Sequence, residues 1–314
     1  MIEGYTLAIS ACLVGFIALT FGADRLVTAS AALAFHYNVS RLIIGLTIVA
    51  FGTSSPEIIV ALDAALHGTP NIAIGNAIGS NLANIGLVLG IACLLSPIKI
   101  QPHFFKRELP FLFVIMCLVA SMFINQVLSQ HDAIWLLFML LIVLMRYAYI
   151  TRYKKEDIPF KPEEPVEMKT IIAWLFLFLG LGMLILGADM LVRGAVVLAK
   201  LLKVDEVVIG LTLVAVGTSL PEVATSIVAA IKKHDDIAIG NVIGSNIFNL
   251  LAVLPATTIK GAVAIPPQVI TRDWPLMFLF TLLLYLGYKK KCLSRFSGGL
   301  LLGLYIAYIT ILFL

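Results

Sequence analysis

Charge is scarce in this chain, and so is everything that depends on it. Of its 314 residues only 13% are Asp, Glu, Lys or Arg, while 61% are hydrophobic. A soluble domain is about a quarter charged and roughly half apolar, so the composition belongs to a polytopic membrane protein. Cysteine is equally thin. Cys12, Cys93 and Cys117 stand in apolar segments and Cys292 in a basic loop, with no CxxC or Cys/His spacing. That argues against zinc and against a disulfide framework. His36, His67, His103, His131 and His234 fall in loops or at interfaces, and no His/Cys/acid cluster marks a transition metal. Met1-Ile2-Glu3-Gly4 lacks the positive start of a cleavable signal peptide, and the apolar run after it is long enough to span. Hydrophilic segments are rare too. The one polar connection of any length runs from Thr151 to Lys169, holds Pro159, Pro162 and Pro165, and reads as a linker too short to fold alone.

What is present is a repeat. Residues 45–90 read GLTIVAFGTSSPEIIVALDAALHGTPNIAIGNAIGSNLANIGLVLG, and residues 210–255 read GLTLVAVGTSLPEVATSIVAAIKKHDDIAIGNVIGSNIFNLLAVLP. The offset is 165 without a gap, and about half of the aligned positions are identical. Each copy places an acid, Glu57 or Glu222, inside an apolar segment. A carboxylate at bilayer depth costs roughly 3 kcal/mol or more. Two of them at equivalent repeat positions point to a cation site built by pseudo-symmetry, and to an ion transporter rather than an enzyme. The same offset relates Gly22-Ala23-Asp24 to Gly187-Ala188-Asp189, and Arg107-Glu108 to Arg272-Asp273.

A helix needs about 20 apolar residues to cross the hydrocarbon. On that rule the chain is expected to be all-α, with ten spans near 5–23, 42–65, 72–95, 108–125, 132–150, 171–189, 207–230, 237–256, 273–288 and 297–314. Residues 1–150 form one five-helix repeat, 151–170 the linker, and 171–314 the second repeat. Five is odd, so the copies enter the membrane from opposite sides as an inverted repeat. On this reading all but Arg193, Lys200, Lys203, Lys260 and Arg272 of the 22 basic residues lie on one face. Positive charge marks the cytoplasm. The expectation is a multi-pass protein of the cell (inner) membrane with a cytoplasmic linker and both termini outside.

Within the second span Pro56 removes a donor and clashes with the carbonyl of Gly52. The helix is expected to break there and leave carbonyls near Ala50 to Gly52 without intrahelical partners. Thr53, Ser54 and Glu57 supply oxygens beside the break, and Thr218, Ser219 and Glu222 repeat them around Pro221. Such oxygens suit hard cations, calcium or sodium. An antiparallel partner helix carries Asn76, Ser80, Asn81 and Asn84, repeated as Asn241, Ser245, Asn246 and Asn249. Ser80 and Asn84 share one helix face. Small residues at this spacing also serve plain helix packing, with amides and hydroxyls as glue. Packing alone gives no reason for Glu57 and Glu222, whereas Asn76, Asn81, Asn241 and Asn246 fit either reading. Asp63, whose repeat mate is Val228, is expected at the outer interface, and Asp24 and Asp189 at span ends.

These motifs resemble the calcium/cation antiporter superfamily, most closely its prokaryotic sodium/calcium exchanger-like branch. The doubled GTSxPE and GNxxGSN strings carry the resemblance, which covers nearly the whole chain. It implies a cluster of ion sites with Glu57 and Glu222 at the centre. Around them it places Thr53, Ser54, Thr218, Ser219, Ser80 and Ser245, with Ala50 and Ala215 as carbonyl contributors. It also implies that the first and sixth helices slide against the core. Asn84 and Asn249 are further candidates. Asn249 stands where potassium-dependent members carry aspartate, and Gly79 and Gly244 stand where proton/calcium members carry glutamate. Sodium-for-calcium antiport is therefore expected, with proton- or potassium-coupled divalent antiport as the alternative. The expected partners are those ions and the lipid bilayer. No cofactor, nucleic acid or obligate protein partner is expected, nor a large calcium-sensing loop.

Overall fold

The computed structural model describes residues 2–153, 168–202 and 217–312. They are predominantly helical. The helices are α1 (Ile2–His36), α2 (Arg41–Thr53), α3 (Ser55–Leu66), α4 (Pro70–Leu95), α5 (Leu109–Met122), α6 (Gln130–Tyr153), α7 (Thr170–Leu201), α8 (Leu220–Ile231), α9 (Asp235–Ala256), α10 (Val269–Gly287) and α11 (Arg295–Leu312). Among the described residues seven of these are long and apolar enough to cross a membrane, or eight when α2 and α3 count as one span bent by 41°. The expected fourth span appears as α5, only 14 residues long, behind a π-helical turn over Phe104–Glu108. Only the later part of the expected seventh span, from Gly217 on, lies within the described residues.

α1 runs 35 residues and α7 runs 32, each much longer than read from sequence. At 1.5 Å per residue both reach roughly 50 Å, beyond the hydrocarbon thickness, so they tilt or project. Asp24 and Asp189 are therefore inside long helices and not at helix ends. Their charge is met laterally: Asp24 pairs with Lys232, and Asp189 with Arg193 one turn on at 2.8 Å. The two long helices lie against each other through glycines. A Cβ at Gly22 would sit 2.8 Å from the Gly180 carbonyl oxygen, and one at Gly187 2.9 Å from that of Gly15. The two contacts exchange under the 165 offset.

α4 and α9 form the interior, with most of their length buried, and the apolar core is continuous around them. Asn84–Leu89 and Asn249–Val253, equivalent stretches of the repeat, both widen into π-helical turns within these helices. The chain is not purely helical. Two small antiparallel ribbons join its halves: β1 (Ile98–Lys99) pairs with β4 (Cys292–Leu293), and β2 (Val127–Leu128) with β3 (Val263–Ala264). Ile98 lies opposite Leu293, and their repeat mates Val263 and Leu128 lie opposite each other.

Candidate ion-binding site

Pro56 does bend the span, but the freed carbonyls are largely caught again. The Ala50 carbonyl accepts the Ser54 N–H at 2.9 Å and the Thr53 hydroxyl at 3.3 Å. Ser55, whose hydroxyl donates to the Phe51 carbonyl at 2.7 Å, closes the next gap. That corrects the expectation of orphan carbonyls at Ala50 and Phe51. It also gives Ser55 a role, since Leu220 at the repeat position has no hydroxyl to offer. The bend falls at Ser54, with φ −86° and ψ 3°, and Ser219 ahead of α8 has nearly the same backbone, −88° and 3°. Each serine thus stands at the break in helical backbone, three residues before its acid.

This local geometry sends the hydroxyls across the repeat. Ser54 donates to Oε1 of Glu222 at 3.1 Å, and Ser219 to Oε1 of Glu57 at 3.5 Å. Ser245 on α9 also donates to Oε1 of Glu222, at 3.4 Å, and Ser219 reaches Ser80 on α4 at 3.4 Å. Thr53 donates to Oδ1 of Asn241 at 3.0 Å and lies 3.4 Å from the Ser245 hydroxyl. Its mate Thr218 donates to Oδ1 of Asn76 at 3.3 Å. Both glutamates are 1% exposed, and Thr53, Ser54, Ser80, Ser219 and Ser245 are buried with them. Thr218 and Asn76 are half-buried, whereas Thr53 and Asn241 are fully enclosed.

Deeper along α4 and α9 the amides join the two halves. Asn81 donates to the Asn246 carbonyl and Asn246 to the Asn81 carbonyl, both at 3.4 Å, while Asn84 donates to Oδ1 of Asn246 at 3.0 Å. Asn84 and Asn249 are buried but make no hydrogen bond to either glutamate among the described contacts. Ala50 is buried beside Thr53, and Ala215 lies outside the described residues. Asp63 is exposed, paired with His67 at 3.2 Å and away from the acids.

The electrostatic feature is a surplus of acceptors. Glu57 Oε2, Glu222 Oε2, Asn81 Oδ1, Asn84 Oδ1 and Asn249 Oδ1 are buried with no hydrogen-bond donor among the described residues. A buried acceptor without a partner costs about 1–3 kcal/mol, and more when charged. Carboxylate, amide and hydroxyl oxygens of this kind are the donor set of hard cations.

Two side-chain groups escaped the sequence reading. Ser226 accepts Nδ2 of Asn241 at 3.0 Å. Its place one turn after Glu222 was the available signal. Glu108, noticed only as a marker of the repeat, is 4% exposed and forked by Arg146 at 2.9 and 3.0 Å, with Tyr147 donating at 3.0 Å. Nothing local in the sequence links positions 108 and 146.

A helical membrane protein whose twin motifs bury two carboxylates among uncommitted oxygens has the build of a transporter for cations. The chain belongs to the sodium/calcium exchanger protein family, which matches residues 7–150 and 172–314. It is 40% identical to CaxA of Alkalimonas amylolytica over 311 residues, covering 96% of this chain and 97% of that one. It is 36% identical to inner membrane protein YrbG of Escherichia coli (strain K12), covering 98% and 97%. Its fold is that of the solved sodium-calcium exchanger NCX_Mj soaked with zero Na+ and Ca2+. That likeness has a TM-score of 0.84 and 35% identity, covering 98% of this chain and 99% of that one. The family is one of membrane exchangers and not of enzymes.

Proposed function

We propose that the protein exchanges sodium for calcium by alternating access at a site centred on Glu57 and Glu222. In this reading residues 1–150 and 171–314 are two inverted five-helix repeats, ten spans in all, with motifs at 45–90 and 210–255. The 151–170 linker is cytoplasmic, both termini lie outside, and the protein sits in the cell (inner) membrane. Thr53, Ser54, Ser80, Asn84, Thr218, Ser219, Ser245 and Asn249 contribute oxygens, with the carbonyls of Ala50 and Ala215. The cargo is calcium and sodium, and no resident cofactor takes part.

One observation carries the reading: among the described residues both buried acids keep an oxygen with no donor, as do the amide oxygens of Asn81, Asn84 and Asn249. Two uncompensated carboxylates in a low-dielectric interior are expensive to move. Divalent calcium, or sodium ions in its place, neutralises them and lets the loaded protein switch. The two cargoes compete for one set of oxygens, and that competition couples their fluxes. The enclosed Thr53–Asn241 end and the half-buried Thr218–Asn76 end fit a pocket closed towards one side at a time. The names of NCX_Mj and of the family support sodium and calcium as the ions.

Purified protein in proteoliposomes tests this. Calcium uptake driven by a sodium gradient is expected in the wild type and lost in Glu57→Gln and in Glu222→Gln. Retained uptake in both variants overturns the two-glutamate site. Uptake that follows a pH or potassium gradient without sodium selects the proton- or potassium-coupled alternative.

A further inference from the structure

The repeat builds the same corner twice and gives the two corners different chemistry. At the first, β1 meets β4 and the Ile100 N–H donates to the Lys291 carbonyl at 2.9 Å. At the second, β3 meets β2 and the Ile265 N–H donates to the Gln126 carbonyl at 2.8 Å. The backbones match closely, even to the left-handed residues. Lys291 has φ 49° where its mate Gln126 has 58°, and Lys233 has 62° where Gly68 has 79°. The scaffold therefore folds with either set of side chains.

The first corner carries Lys99, Lys233, Lys289, Lys290, Lys291 and Arg295. At the same positions the second carries Ala264, Gly68, Ile124, Asn125, Gln126 and Gln130. At these positions six cations face none, and beside the second corner Lys260 alone is seen to bond a neighbouring carbonyl, that of Leu66. All six are exposed. Two are anchored by their ends, Lys233 on the Ser96 hydroxyl at 2.8 Å and Arg295 on the Leu94 carbonyl at 3.1 Å. Like charges so close repel, and packing at the bare corner does without them. Cys292 stands in their midst: burial and Asp235 push its thiol up, and Lys99, Lys233 and Lys290 pull the other way. Directly beside the cations lies exposed apolar surface, Leu95 and Phe296, with the ring of Tyr288. A band of cations bordered by aliphatic and aromatic groups matches the boundary between acyl chains and headgroups.

We propose that the β1–β4 corner is a docking surface for anionic phospholipid headgroups, which it holds by phosphate while Phe296 and Leu95 contact the acyl chains. Each lysine near an anionic surface adds to such an attraction, roughly fivefold in affinity apiece. The surface is independent of the exchange reading, and of which ion is carried.

The test uses the full chain in detergent micelles, titrated with phosphatidylglycerol or with phosphatidylcholine and read by thermal unfolding and native mass spectrometry. Phosphatidylglycerol is expected to raise the unfolding temperature and to remain bound, and phosphatidylcholine to do neither. The variant K289Q/K290Q/K291Q is expected to bind phosphatidylglycerol at least tenfold more weakly. The charge-preserving K289R/K290R/K291R keeps the binding. Because loop charges also influence insertion, a graft of lysines in place of Ile124, Asn125 and Gln126 provides a second arm and is expected to create binding at the bare corner. Orientation is checked by labelling a single cysteine. Equal phosphatidylglycerol binding by the wild type and the glutamine variant, or no preference over phosphatidylcholine, overturns the proposal.

Discussion

Ser54 donates its hydroxyl proton to Oε1 of Glu222 at 3.1 Å, while its repeat mate Ser219 stands 3.5 Å from Oε1 of Glu57. Each half of the chain thus steadies the acid of the other half, and the two grips are unequal. A hydrogen bond to a charged group contributes about 1.5–3 kcal/mol when well formed, and less as it lengthens. Ser54→Ala is expected to weaken calcium dependence of exchange roughly tenfold. Ser219→Ala is expected to have the smaller effect. Concentration curves for calcium uptake in both variants check the order, and a larger loss in Ser219→Ala contradicts it.

Asn241 shows how one unpaired change in the repeat alters the pocket wall. Its Nδ2 rests on Ser226 at 3.0 Å while its Oδ1 receives Thr53 at 3.0 Å. Asn76, its mate, accepts Thr218 in the same way, but its Nδ2 is buried without a partner, and Ala61 stands at the position of Ser226. Ser226→Ala is expected to strand a second amide at a cost of about 1–3 kcal/mol. The unfolding temperature then falls by roughly a few degrees, and the apparent sodium affinity falls with it. Ala61→Ser is expected to move stability the other way. Thermal unfolding and sodium titration of the two variants give the signs directly.

The parts of this architecture that local pattern encodes were legible in the sequence. Apolar runs gave the helices, the 165 offset gave the pairing of motifs, and Pro56 gave the bend ahead of Glu57. What long-range contact decides was hidden. α1 continues through Asp24 and Arg25 because Lys232 meets the first and the ring of Phe176 lies 5.0 Å from the second. Composition alone had ended the helix there. The ribbons β1–β4 and β2–β3 are two residues long on each side, too short to show any alternation. The bend's carbonyls found hydroxyls at Thr53 and Ser55, which reduces what the break exposes.

The buried fork of Arg146 on Glu108 makes a sharp stability prediction. Arg146 is also capped by the ring of Phe111 at 4.3 Å, and Tyr147 occupies the remaining side of the carboxylate. Removing one partner of a buried pair leaves an uncompensated charge and costs roughly 3–5 kcal/mol. Arg146→Leu is therefore expected to unfold far more readily than Tyr147→Phe, which loses about 1.5–3 kcal/mol. Adding Glu108→Gln to Arg146→Leu is expected to restore part of the loss, since the stranded charge goes with it. Thermal unfolding of the single and double variants in detergent measures all three.

The glycine contacts between α1 and α7 separate binding from movement. A Cβ at Gly180 would lie 2.7 Å from the Gly22 carbonyl oxygen, and one at Gly15 2.7 Å from that of Gly187. Those atoms are backbone on a rigid helix, so neither side yields and the helices must part. Small residues at such contacts let helices approach closely, and the association rests on that fit. Neither glycine contacts Glu57, Glu222 or their hydrogen-bond partners. Gly180→Val is therefore expected to leave equilibrium calcium binding within about twofold, below the 1.4 kcal/mol of a tenfold change. If the two long helices slide together over the core in alternating access, turnover is expected to fall by roughly tenfold or more. Gly182→Val, at a glycine of the same helix where the structure puts nothing within 4 Å of an added Cβ, serves as the control and is expected to leave both unchanged. Calcium binding measured in detergent and flux measured in vesicles distinguish the outcomes. Equal losses of binding and turnover in Gly180→Val would mean that the α1–α7 contact shapes the pocket itself.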